Sequence, residues 1–320
     1  MKISALVYLF YQFMATYNVT YETSALFETR FEIFALNMER VDAFSAPSLS
    51  LGLTPFADRT EEEFRQRMGL FPWDVSGDDH DDDDDTVGCP DWIPSEPRKA
   101  RLDWREEGIV SPIKDQGACG SCWAFATVET AESVAALSDN SGDPPLVLSP
   151  MQLVDCSTKN HGCSGGNIDY AMLYVLQNGL MNETTYPYNP SSSSNDCLFQ
   201  NASVVYRPSS CFRLRPGNEK DIRGALEERG PLVVAIEADA FVFQMYNGGI
   251  IRAQDCGTDL DHAVQLVGYG EDPDGEKYWI VRNSWGERWG EQGYFRLERT
   301  DRDDTEGTCG MALGVWGLVA

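Results

Sequence analysis

The run Gly77 to Asp85 holds seven aspartates in nine residues. Like charges at that density repel one another and have no apolar neighbours to bury, so the run cannot sit inside packed structure. It is expected to be an exposed linker, and it splits the 320-residue chain into a first part and a second part large enough for a sizeable core. A calcium loop is the alternative reading, but the alternating ligand spacing and glycine of such a loop are missing, and no metal is expected. Lys plus Arg total 25 against 51 Asp plus Glu, giving a net charge of −26. Residues up to 85 carry −11 and the remainder −15, so neither side of the linker is a basic module. Such a field repels nucleic acid and anionic membrane surfaces. No stretch is long enough to cross a bilayer.

In the first part, residues 10–45 read as helix, with Arg30, Ile33, Phe34, Asn37 and Val41 at three-to-four spacing. Leu51 to Asp58 reads as a short extended segment, and Thr60-Glu-Glu-Glu63 as the capping-box start of another helix. Ile3 to Phe10 after Lys2 resembles a short signal core, but it lacks a small-x-small cleavage site and runs into the helix. The favoured expectation is an N-terminal helix of the precursor. Asn18, Asn182 and Asn201 open three glycosylation sequons.

The second part is organised around Gln116-Gly-Ala-Cys119-Gly-Ser-Cys122-Trp123. An Ala-rich run from Cys122 predicts a buried helix to about Leu137. A thiol at a helix N-terminus meets free amide N–H groups and the positive end of the dipole, which favour thiolate. Further helices are expected at Ser149–Asp155, Ile168–Asn178 and Glu219–Glu228. Strands are expected at 231–236, 262–269, 277–282 and 293–297. A helical half against a strand half is α+β, with a cleft between them.

A cysteine nucleophile needs a base and a group to orient it. Of the three histidines, His80 lies in the charge run and His161 in a polar loop. His262 opens an apolar strand after Asp261. Asn283 ends another strand; its side-chain carbonyl can hold the imidazole, with Trp285 shielding that bond from water.

Taken together, Gln116 to Cys122, Cys156, Gly162-Cys-Ser-Gly-Gly166, Asp261-His-Ala263 and Asn283-Ser-Trp-Gly286 resemble the papain family of cysteine peptidases, its cathepsin L-like branch above all. The resemblance runs from residue 10 to 314. It implies a two-lobed papain-like fold, with a helical lobe at about 111–205 and a β-barrel-like lobe at about 206–310. Residues 1–76 would be an inhibitory propeptide, 77–87 a processing region and 88–320 the peptidase. Arg30 to Val41, Gly52, Phe56 and Asp58 fit the propeptide pattern, whereas Leu26, Ser45 and Thr54 depart from it. Cys122 would be the nucleophile, His262 the base and acid, and Asn283 the orienting group. The Cys122 amide and the Gln116 side chain would form the oxyanion hole.

The nine cysteines would then leave one thiol free. The family's bridges imply Cys119–Cys163, Cys156–Cys197 and Cys256–Cys309. Cys89 and Cys211 are expected to pair, as in related mite allergens; the alternative is that Cys89 caps Cys122. Gly165, Gly166, Asp261 and Trp285 would contact substrate, and Ile168, Ala235, Leu260 and Gly314 would line a pocket for a bulky apolar or aromatic side chain two residues before the cut. The resemblance further implies protein and peptide substrates, no cofactor, the propeptide as inhibitor, cystatin-type inhibitors as partners, a monomer, and a lysosome-like or secreted location. Competing readings are an inactive homologue that serves as a binding protein, and a Cys119-x-x-Cys122 redox protein, which lacks the βαβ context it needs.

Overall fold

The computed structural model describes residues 3–46, 48–71, 88–139, 141–192 and 196–320. The acidic run, His80 and the expected processing region lie outside them.

The first part is two packed helices and an arm. α1 (Ile3–Tyr17) and α2 (Ser24–Ala43) replace the single helix expected from residue 10 to 45. The break has a local cause: Asn18 takes a positive φ of 54°, and the Thr23 side chain caps α2 by accepting from the Leu26 amide. The two helices close on a cluster of aromatic rings, with Phe10, Phe13 and Phe34 fully buried. β1 (Leu49–Leu51) follows, then α3 (Glu61–Arg65), where Thr60 and Glu63 make the reciprocal bonds of a capping box. Arg30 of α2 grips Glu63 through two bonds of 2.7 Å, and burdened with that cation the Glu63 carboxyl falls to about 2.

In the second part, β2 (Leu102–Asp103) precedes α4 (Cys122–Ser138), which is buried over Cys122 to Ala135. α5 (Pro150–Cys156) starts on a Ser149 cap with proline in the first turn. α6 (Ile168–Asn178) starts on an Asn167 cap and stops at Gly179, whose φ is 71°. Beyond the small hairpin of β3 (Leu180–Met181) and β4 (Val204–Tyr206), the chain is mostly strand: β5 (Ser210–Arg213), β6 (Leu232–Ile236), β7 (Tyr246–Ile251), β8 (His262–Glu271), β9 (Lys277–Arg282), β10 (Tyr294–Glu298) and β11 (Val315–Val319). α7 (Glu219–Arg229) and the short α8 (Phe241–Gln244) interrupt them.

The sheet runs β1-β7-β10-β9-β8-β6-β11-β5, with β2 added beside β8. It is open, with β1 and β5 at its ends, where a barrel-like lobe was expected. All pairs are antiparallel except β10 with β7. β1 belongs to the first part yet pairs with β7 of the second, Ser50 opposite Gly248. The first part is therefore docked by strand addition. Thr54, which departs from the family pattern, is built into the same contact through a 2.7 Å bond from its hydroxyl to the Gln244 carbonyl.

Four disulfides are present: Cys89–Cys211, Cys119–Cys163, Cys156–Cys197 and Cys256–Cys309. Cys122 is the free cysteine.

Candidate active site

α4 and β8 meet at the junction of the helical and strand halves, and their ends place the reactive groups. Cys122 is the first residue of α4 and is fully buried. The backbone amides of Ala263, Gly69 and Trp123 lie against its sulfur. Those amides favour thiolate, but burial outweighs them and pushes the thiol up to about 11. The helix terminus alone suggested a lowered thiol; in the covered state desolvation wins.

His262 is the first residue of β8, next in sequence to the Ala263 amide that faces the sulfur. Its Nε2 is 2.9 Å from Asn283 Oδ1. Its Nδ1 is buried and has no hydrogen-bond partner. That combination makes Nε2 the protonated nitrogen, donating to the amide oxygen, and leaves the Nδ1 lone pair free to take a proton. Trp285 stacks on the imidazole at 4.8 Å between ring centroids, which keeps water from the His262–Asn283 bond. Burial, with a smaller repulsion from the Arg67 cation, lowers the imidazole to about 4. Thiol and imidazole are thus both neutral here at pH 7.

Gln116 is fully buried and held from two directions. Its backbone amide donates to the Ser284 carbonyl at 2.9 Å, and its Oε1 accepts from the Ser284 hydroxyl at 2.6 Å. The second bond fixes the amide orientation, and Nε2 donates one hydrogen to the Cys119 carbonyl at 2.8 Å, which leaves its other for the cleft. In the sequence Ser284 stands between Asn283 and Trp285, and nothing local marks it as the residue that holds Gln116.

A segment of the first part lies over all of this. Gln116 Nε2 donates to the Arg67 carbonyl at 3.0 Å. The Leu70 amide donates to the Asp261 carbonyl at 3.0 Å. Gly166 donates to the Gly69 carbonyl at 2.9 Å and accepts from the Phe71 amide at 3.1 Å. A Cβ on Gly69 would overlap the Gly120 carbonyl, so only glycine lets the segment come this close. Gly166 is constrained in the same way from beneath, by the Trp123 ring at 2.7 Å. Phe71 rests edge-on against His161, 5.1 Å between ring centroids, and its Cζ would meet a Cβ on Gly165 at 3.2 Å. His161, read from sequence as a surface loop residue, is exposed but lines the end of the cleft. Phe56 and Phe64 close over Trp285 at 5.6 and 5.3 Å.

Ile168 and Ala235 are buried in one apolar cluster, with Leu260 and the covering Leu70 packed against it. The Gly314 carbonyl accepts from the Ala235 amide at 3.0 Å, which sets Gly314 beside that cluster. Of the sequons, Asn201 is exposed and Asn182 half-buried, while Asn18 forms the turn between α1 and α2. Among the described residues no group of acidic, histidine and cysteine side chains could hold a metal ion, and no helix is long and apolar enough to cross a membrane.

The family model of the papain family cysteine protease matches residues 98–317, and that of the cathepsin propeptide inhibitor domain matches residues 10–64. The chain is 42% identical over 292 residues to a probable cysteine protease, RD21B, of Arabidopsis thaliana, covering 89% of this chain but 60% of that one. It is 37% identical over 314 residues to chymopapain of Carica papaya, covering 97% of this chain and 86% of the other. The chain thus spans about three fifths of the length of the Arabidopsis relative. Among solved structures, digestive procathepsin L 3 of Tenebrio molitor larval midgut superposes with a TM-score of 0.84 at 32% identity, covering 100% of both chains. The recombinant stem bromelain precursor superposes with a TM-score of 0.83 at 31% identity, covering 98% of this chain and 99% of that one. The chain belongs to the papain family of cysteine proteases, and it carries that family's inhibitory propeptide domain ahead of the protease domain.

Proposed function

We propose that this chain is the precursor of a cysteine endopeptidase whose first part inhibits it until removed. One observation carries the reading: the Gln116 side-chain amide donates to the Arg67 carbonyl at 3.0 Å while the Gly69 amide, two residues on, lies against the free thiol of Cys122, so the first part takes the ground that a substrate would need. The relatives named above are proteases or their proforms.

Once uncovered, Cys122 passes its proton to His262 Nδ1, and the thiolate attacks the peptide carbonyl carbon. The oxyanion is held by the Cys122 amide and Gln116 Nε2. His262 then protonates the departing amine, leaving a thioester on Cys122. Water gives its proton to His262 and attacks the thioester; the acid leaves and the thiol is restored. Asn283 keeps the imidazole oriented throughout. Substrate is held in extended form by Gly165, Gly166 and the Asp261 carbonyl, with Trp285 roofing the histidine. Ile168, Ala235, Leu260 and Gly314 form the pocket for the side chain two residues before the cut. An apolar lining without a charge at its base selects bulky apolar or aromatic side chains there.

Maturation removes residues 1–76 by cleavage within 77–87, and the Cys89–Cys211 bridge then ties down the new N-terminus. The mature enzyme acts as a monomer without cofactor in a lysosome-like or extracellular compartment. Cystatin-type proteins, which fill such clefts, are the expected inhibitors. Asn18, Asn182 and Asn201 are the glycan acceptors in such a compartment.

Acid-processed protein should cleave an unfolded protein substrate, whereas Cys122→Ala should not. In a peptide library, Phe, Leu or Val should dominate two residues before the cut. Dominance of Arg at that position contradicts the pocket assignment, and cleavage by Cys122→Ala contradicts the enzyme assignment.

A further inference from the structure

The covering segment also marks what the opposite end of the cleft holds. Gly69 to Phe71 pair with Gly166 and Asp261, along the side that holds substrate before the cut. Residues preceding Gly69 therefore run out over the side where the leaving peptide would lie. Two arginines stand there. The Arg67 guanidinium lies over the Phe56 ring, 4.4 Å from its centroid, with an Asp115 carboxylate oxygen 4.0 Å away in ion contact without a hydrogen bond, and its Nε has no hydrogen-bond partner. Arg65 Nε donates to Asp239 Oδ2 at 2.7 Å.

The two acids come from different loops of the second part. Asp115 lies in the loop that leads through Gln116 to α4, and Asp239 in the loop between β6 and α8. Asp115 does not depend on the arginine for its place. Its Oδ1 accepts from the Gly117 amide at 2.9 Å, and its backbone bridges to Trp285. Glu237, two residues before Asp239, is fixed by accepting from the Gly257 and Asp259 amides at 2.7 Å. Glu237 and Asp239 together repel charge on Asp261 and reinforce the burial that pushes its carboxyl up to about 7. When the first part leaves, both cations leave with it and the acids remain, facing an empty groove. The acids alone would mean little; what points to the ligand is that this same chain sets an arginine beside each, Arg65 bonded to Asp239 and Arg67 within ion-pair range of Asp115.

We propose that Asp115 and Asp239 make the leaving-group side of the cleft selective for basic residues, so that peptides with Lys or Arg in the first two or three positions after the cut are preferred. This rests on the peptidase reading and adds a substrate class to it. Each solvent-facing pair contributes a few-fold and the two together roughly 5- to 20-fold in kcat/KM.

The test is a set of internally quenched peptides, identical before the cut and carrying Arg, Ala or Glu at the first, second or third position after it, cleaved by the processed wild type, Asp115→Asn, Asp239→Asn and the double variant. Wild type should favour Arg over Glu by about tenfold, and less in high salt. The double variant should bring that ratio close to one, which separates these two side chains from the acidic field of the whole molecule. Equal rates for Arg, Ala and Glu in wild type, or an undiminished ratio in the double variant, would overturn the inference. A short wild-type substrate whose fluorogenic amine directly follows the acyl group reports separately on the peptidase reading. If it is cleaved while the peptide set shows no preference, only this inference falls; if it is not cleaved, both fall.

Discussion

The Gln116 side-chain amide donates to the Arg67 carbonyl at 3.0 Å, while its oxygen is held by the Ser284 hydroxyl at 2.6 Å. The amide that we propose as an oxyanion donor is thus occupied by a carbonyl of the chain's own first part. The thiol and imidazole beneath are buried in their neutral forms. Inhibition here works by occupation and by desolvation together: the same cover that excludes substrate also opposes formation of the thiolate.

The closest approach of that cover is at Gly69, whose backbone packs on Gly120 with no room for a Cβ. Gly69→Ala forces the segment away from the thiol. A separately made 1–76 peptide with this change should inhibit the processed enzyme at least about tenfold more weakly, a loss of roughly 1.4 kcal/mol or more. Unchanged inhibition constants would show that the segment does not need this contact.

Asn283→Ala removes the partner of His262 Nε2 and leaves the imidazole free to turn beneath Trp285. A shielded hydrogen bond of this kind stabilises by about 1–3 kcal/mol, so kcat should fall roughly 10- to 100-fold with little change in KM. Loss confined to KM would mean that Asn283 serves substrate binding instead.

The cover should weaken as pH falls, and the sign follows from two groups. Burial depresses His262 from 6.5 to about 4, so its share of covering strength is complete above pH 6.5 and is lost as pH falls toward 4. The Arg30–Glu63 pair lies wholly within the first part and acts on the cover through the folding of residues 1–76: with Glu63 depressed from 4.5 to about 2, that share of the first part's stability is complete above pH 4.5 and is lost as pH falls toward 2. Asp261, raised to about 7 chiefly by burial, has the opposite sign; the Ala238 amide and the Asp239 and Glu237 charges that also act on it belong to the second part and stay in place on uncovering. Inhibition by the 1–76 peptide should therefore weaken steadily from pH 7 to pH 4. An Arg30→Met peptide should inhibit less well at pH 6 and lose the portion of the trend below pH 4.5.

The Cys89–Cys211 bridge spans 122 residues of sequence. Closing a loop of that length restricts the unfolded chain, so replacing both cysteines by serine should cost about 2–5 kcal/mol in denaturant unfolding of the processed enzyme. Peptide mapping without reduction should recover Cys89 joined to Cys211. A Cys89–Cys122 peptide would support the capping alternative.

Short-range features were the ones readable in the sequence. The Thr60 capping box, the Ser149 and Pro150 start of α5, and the helix from Cys122 each depend on neighbours within a turn or two. The motifs around Cys122, His262 and Asn283 made the family legible as well. Three features were not. The break at Asn18 depends on one residue adopting a positive φ, which only a weak preference announces. β1 is three residues long and is a strand only because β7 offers it an edge. The path of Gly69 to Phe71 across the cleft is set by backbone bonds with Asp261 and Gly166 of the second part, and its one local clue is the glycine at 69.

The central claim is that Cys122 is the nucleophile of a peptidase that residues 1–76 keep covered. An epoxysuccinyl reagent, followed by peptide mapping and an assay of peptide cleavage, tests it most directly. The intact precursor should remain unlabelled at pH 7. The processed protein should carry one adduct, on Cys122, with activity lost in proportion to labelling. No adduct, an adduct elsewhere, or cleavage that survives full labelling of Cys122 would contradict the account.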